Sequence, residues 1–113
     1  MVRRDLAIAD ISRMWGRIQA LKALHRSRDW DRALDIYPEI RRGLTGIQNR
    51  LPDLSEIDTE QILGGISQLM DMENEVDKST GDRSQINVSQ FNAQLSLIEL
   101  LLTDLESRLQ QSA

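Results

Sequence analysis

The chain has no cysteine, one histidine and two prolines, and aromatic residues make up only 4% of it. Without thiols there is no disulfide frame, no thiolate metal site and no thiol redox chemistry. With His25 alone, a two-histidine metal site cannot be assembled within one chain. The inward-facing Glu-x-x-His pairs of di-iron bundles are also missing, because the residue three before His25 is Lys22. No phosphate loop is present: Gly64-Gly65 is followed by Ile-Ser, not Gly-Lys-Ser, and lies within a helical pattern. These absences predict a protein that is not an enzyme and needs no cofactor or metal.

Long apolar runs are missing too. No stretch approaches the ~18 residues of a spanning helix. The start, MVRRDLAIADISRM, mixes charges with apolar residues and has no signal-type apolar core. The expectation is a soluble, cytoplasmic protein without a membrane span. Alternating Val/Ile/Thr runs and Asn-Gly hairpin turns are equally absent, so no strand signal competes with helix.

What remains is 113 residues that are 40% hydrophobic, enough for one domain with a modest core of Leu, Ile and Met. The net charge of −4 conceals an asymmetry. Residues 1–50 hold eleven bases against six acids, a net +5, and residues 51–113 hold three against twelve, a net −9. Two halves of opposite sign are suited to pack with complementary rims.

The strongest pattern is the stretch Val88 to Leu109. Val88, Phe91, Leu95, Ile98, Leu102, Leu105 and Leu109 recur at alternating spacings of 3 and 4, the seam of a helix packed lengthwise on others. A first helix, about residues 4–25, carries the stripe Ala7, Ile11, Met14, Ile18, Leu21 and His25. His25 thus falls on the core side at a helix end, near terminal carbonyls.

Asp29 is a candidate N-cap for a second helix over about residues 30–50, with Trp30, Ala33, Leu34, Tyr37, Ile40, Leu44 and Ile47 apolar. Pro38 removes the hydrogen bond to the Leu34 carbonyl and predicts a kink or break nearby. Trp30, Ala33, Tyr37 and Ile40 resemble in spacing the second half of a tetratricopeptide unit. The preceding helix lacks the matching Gly and no period of about 34 residues exists, so the likeness is read as shared helix-hairpin packing.

Pro52 stops the second helix. Asp53 with Glu56, or Ser55 with Asp58, forms a candidate capping box for a third helix over about residues 55–78. Its stripe reads Ile62, Ile66, Leu69, Glu73 and Val76, with Leu63, Met70 and Met72 beside it. Glu73 on an apolar stripe needs a cation, and an arginine of the first two helices is the candidate. Gly64-Gly65 in mid-helix marks a close crossing or a bend. Ser79 to Asn87 is the longest loop, polar and expected to be flexible. Asn87 with Gln90 opens the fourth helix, about residues 88–110. Short connections make sequential helices antiparallel, so the expected fold is an all-α, up-down-up-down four-helix bundle.

Two surfaces are left over. On the fourth helix Leu100 points about 180° from the seam centre, Leu97 about 120° away, and Leu101 lies at the edge, with Ala93 extending the strip. On the first helix the face away from the core is Ala9, Ser12, Gly16, Ala20 and Ala23, all small and uncharged. Solvent-facing positions of a monomeric bundle are ordinarily polar. These nine residues are the candidate interface of a non-catalytic interaction or scaffolding module, an adaptor that self-associates or docks in a larger protein complex.

The alternative is a regulator that binds nucleic acid or another anionic partner through Arg26, Arg28, Arg41 and Arg42. Nucleic acid is disfavoured by the net charge and by the lack of aromatics among the arginines. Asp71, Glu73, Glu75 and Asp77 form an acidic strip that lacks the glycine of a calcium loop and reads as a solvated face or a docking patch for basic partners.

Overall fold

The computed structural model describes residues 2–51, 54–79 and 81–111. Four helices account for nearly all of them: α1 (Val2–Ser27), α2 (Trp30–Arg50), α3 (Glu56–Lys78) and α4 (Val88–Gln111). No strand occurs among the described residues. Each helix contacts two others, α1 with α2 and α4, and α3 with α2 and α4. The four form a closed ring around one core, as in a helix bundle. The body measures 49 × 23 × 19 Å, matching helices of roughly 30–40 Å laid lengthwise.

Apolar periodicity decides the core. Ala7, Ile11, Met14, Ile18 and Leu21 of α1 are buried, as are Phe91, Leu95, Ile98, Leu102 and Leu105 of α4. In α2 the buried line is Trp30, Ala33, Tyr37, Ile40, Leu44 and Ile47. This helix continues through Pro38 as one element. Gly43 permits the close approach of α1, since a Cβ there would run into the buried Met14 side chain.

α3 departs from its expected stripe at two places, each by one residue, with Gly65 and Met72 buried in place of Ile66 and Glu73. The buried line is Asp58, Ile62, Gly65, Leu69, Met72 and Val76, at spacings of 4, 3, 4, 3 and 4. Ile66 and Glu73 are half-buried at its side, and Leu63 and Met70 are exposed. Gly65 lies where α3 meets two helices at once: a Cβ there would stand 3.5 Å from both Ile98 and Leu44.

An ion pair spans every helix–helix contact. Lys22 of α1 pairs with Glu99 of α4. Arg50 and Arg17 tie α2 to α1, through Asp10 and through Glu39 respectively. Arg41 of α2 reaches Glu73 of α3 at 2.7 Å, the cation that position requires. Arg108 of α4 holds Asp58 of α3 through two bonds of 2.8 Å.

The helix ends are built locally. α1 closes with Arg28 in the left-handed region (φ 56°), its N–H donating to the His25 carbonyl at 3.1 Å while Asp29 N–H donates to the Leu24 carbonyl at 2.9 Å. That is a Schellman closure with arginine in the place usually taken by glycine. Asp29 precedes α2 without a side-chain cap bond and pairs with Arg32 instead. Ser55 caps α3 by accepting from Asp58 N–H at 3.1 Å, whereas Pro52 and Asp53 lie outside the described residues. Asn87 caps α4 by accepting from Gln90 N–H at 3.0 Å.

Two residues of the α3–α4 connection are anchored on the bundle. Ile86 is buried in the core, and Arg83 donates to the Val76 carbonyl and pairs with Asp31.

Candidate functional site

The leucines left over on α4 lie beside the weakest seam of the bundle. Of the four helix–helix contacts, α3 with α4 is the sparsest. There an open groove of about 510 Å³ runs between the two helices. On one side it is lined by Gln61, Gly64, Gly65 and Gln68, and on the other by Leu97, Ile98, Leu100, Leu101 and Asp104. Leu97 is 59% exposed and Leu100 67%, while Leu101 is half-buried against the core. Ala93 is exposed on the same strip.

α3 has exposed apolar side chains of its own, none of which lines this groove; Leu63 and Met70 among them are those the periodicity placed beside the core stripe. Leu63, Met70 and Ile57 are all exposed. Five of the seven large apolar side chains exposed among the described residues therefore sit on α3 and α4; the other two are Leu6 and Trp15. Gly64 lines the groove, and a Cβ added there would meet nothing within 4 Å. The glycine is thus not required by the chain's own packing, although glycine inside a helix costs about 0.5–1 kcal/mol relative to alanine.

The small-residue face of α1 is elsewhere. Ala9, Ser12, Gly16, Ala20 and Ala23 are all exposed. Ser12 and Gly16, with Trp15, line a second groove of about 470 Å³ shared with Thr103 and Glu106 of α4. The two grooves flank α4 on opposite sides, so the nine candidate interface residues form two surfaces and not one. A Cβ at Gly16 likewise meets nothing within 4 Å.

The four candidate anion contacts are divided. Arg41 is engaged by Glu73, and Arg42 donates to the Pro38 carbonyl at 3.3 Å. Both edge a hollow of about 490 Å³ between α2 and α3. Arg26 and Arg28 are exposed at the α1–α2 turn.

His25 is fully buried and takes part in no surface. Its ring nitrogens are met by side chains, not by terminal carbonyls: Nδ1 stands 2.8 Å from Asn92 Oδ1 and Nε2 2.6 Å from the Tyr37 hydroxyl. Asn92 in turn donates from Nδ2 to the Lys22 carbonyl, which orients its Oδ1 as the acceptor of an Nδ1–H. The neutral ring then accepts from Tyr37 at Nε2, and every polar atom of the chain of bonds is satisfied. Trp30, Tyr37 and Phe91 enclose the ring. Burial lowers the His25 pKa below its usual value against the opposing Asn92 bond, and burial raises that of Tyr37 well above the ordinary phenol range, helped by Glu73 and Glu75. Among the described residues, no three His, Cys, Asp or Glu side chains converge to hold a metal ion.

The surfaces differ in sign. α3 and α4 together carry ten acids against two bases. Asp58, Glu73 and Glu99 have cations within the bundle. Glu60, Asp71, Glu75 and Asp77 are exposed, as is Asp104, which pairs with Arg108 one turn on. No described helix is long and apolar enough to cross a membrane.

Compared with known proteins, the chain matches no family model, no curated protein and no solved structure.

Proposed function

We infer that the chain is a non-catalytic cytoplasmic interaction module, a scaffold or adaptor that self-associates or docks as a small subunit in a larger protein complex. The observation that carries this reading is the exposure of Leu97 and Leu100 on α4, where both line an open groove against α3. Apolar patches of this kind, rimmed by polar residues, mark places where another surface docks. The bundle reads as up-down-up-down with antiparallel neighbours. In support, α1 partners 19, 22 and 25 meet α4 partners 99, 96 and 92, in opposite numerical order.

The reading predicts that Leu100→Glu leaves the helices intact, because the side chain is mostly in water, yet removes association. Circular dichroism and sedimentation at two widely separated concentrations check both halves. Unfolding by Leu100→Glu places Leu100 in the core and ends the proposal. So does a wild-type chain that stays monomeric at both concentrations and binds no apolar helix of either charge.

A further inference from the structure

The α3–α4 groove is a trough and not a pit. Gln61, Gly64 and Gln68 face it from α3, and Leu97, Leu101 and Asp104 from α4. Both sets step by three to four residues, so the trough follows the helix axes for about two turns, roughly 10 Å. Its apolar wall is offered at the same spacing that an amphipathic helix presents in its i, i+3, i+4 and i+7 side chains. Gly64 leaves the α3 backbone open to close approach, since nothing lies within 4 Å of where its Cβ would be.

Charge selects the occupant. The trough runs along the two helices that hold ten acids against two bases. Glu60, Asp71 and Asp104 on those helices are exposed, Asp104 already shared with Arg108 of its own helix at 2.9 Å. Two copies meeting through this same face would oppose their acids, because a two-fold contact sets the same patch against itself. Like charges brought together across an interface are costly. A cationic helix instead places Lys and Arg against those carboxylates while its apolar stripe covers Leu97 and Leu100.

We propose that the α3–α4 trough binds an amphipathic helix of another protein whose apolar stripe is flanked by Lys and Arg. This deepens the interaction-module reading and rests on it. The test uses the full chain and three synthetic peptides, read by fluorescence anisotropy. One has a leucine stripe with Lys/Arg flanks, the second keeps the stripe with Glu flanks, and the third is the basic peptide shuffled to destroy the stripe.

The expected result is that the first binds at least about tenfold more tightly than either of the others. Leu100→Gln and Gly64→Phe should each weaken it by about tenfold or more, while Gly16→Phe in the α1–α4 groove leaves it unchanged. Gly64→Phe fills the trough from an open position and keeps the fold, which circular dichroism verifies. Equal binding of the shuffled or the acidic peptide overturns the proposal, as does indifference to both trough variants. Failure of all peptides, with dimerisation that Leu100→Gln abolishes, overturns the cationic helix and leaves the interaction reading standing. Failure of all peptides with a monomer at every concentration overturns both.

Discussion

Mild acidification should destabilise the fold through one residue. His25 is the chain's only histidine, and it is fully buried with its ring held between Asn92 and Tyr37. Burial lowers its pKa from 6.5 in spite of the Asn92 bond. The unfolded chain therefore takes up a proton at a higher pH than the folded one. Between the lowered value and about 6.5 the unfolded state binds more protons, so stability falls as pH falls through that window and is flat above it. One proton gives a slope of at most about 1.4 kcal/mol per pH unit. Urea unfolding followed from about pH 8 to about pH 5 measures it, in the range where no other ordinary side chain titrates. Tyr37→Phe should lower stability at neutral pH by about 1–3 kcal/mol, because it leaves Nε2 buried without its donor. His25→Leu should abolish the pH slope while lowering stability overall, since Tyr37 and Asn92 both lose a partner. A wild-type curve flat down to pH 5, or a slope that survives His25→Leu, refutes the assignment.

Three further outcomes test the helix packing. Gly16→Ala and Gly64→Ala should each raise stability by about 0.5–1 kcal/mol in urea unfolding, because both positions are open and alanine is the better helix former. Gly43→Ala should lower it, because its Cβ meets buried Met14. Asp58→Asn should cost about 1–3 kcal/mol at neutral pH by weakening the Arg108 bonds and the α3 cap. Arg108 foremost, then Ser55, hold the Asp58 pKa below 3.8. Its contribution is therefore present above about pH 3.8, fades as pH falls through the lowered value, and should be missing from the acid limb of the variant.

Much of the fold was legible because α1, α2 and α4 put apolar side chains at their core positions. Ala7 through Leu21 and Phe91 through Leu105 are buried where their spacing placed them. The Arg41–Glu73 pair was legible for a different reason: a carboxylate at the edge of an apolar stripe demands a cation, and the basic first half supplies it. The anchoring within residues 81–87 was not legible, since their composition is that of a free loop. One apolar residue, Ile86, and one long side chain, Arg83, provide it.

α3 shows why the candidate site was only half visible. Two of its six buried positions are Asp58 and Gly65, and neither registers in a count of apolar residues. Asp58 is buried because Arg108 neutralises it across the α3–α4 seam. Gly65 is buried where α3 packs on Ile98 and Leu44, each 3.5 Å from the place a Cβ would take. With those two positions hidden, the best-fitting apolar stripe slides by one residue toward Ile66 and Glu73, which draws Leu63 and Met70 toward the core. Once α3 is turned to its true face, Leu63 and Met70 move into water, on the side of α3 away from the groove that Leu97 and Leu100 line. The leucine surplus on α4 is thus one wall of a groove whose other wall is Gln61, Gly64, Gly65 and Gln68. That second wall was concealed because a glycine and an aspartate occupy core positions of α3.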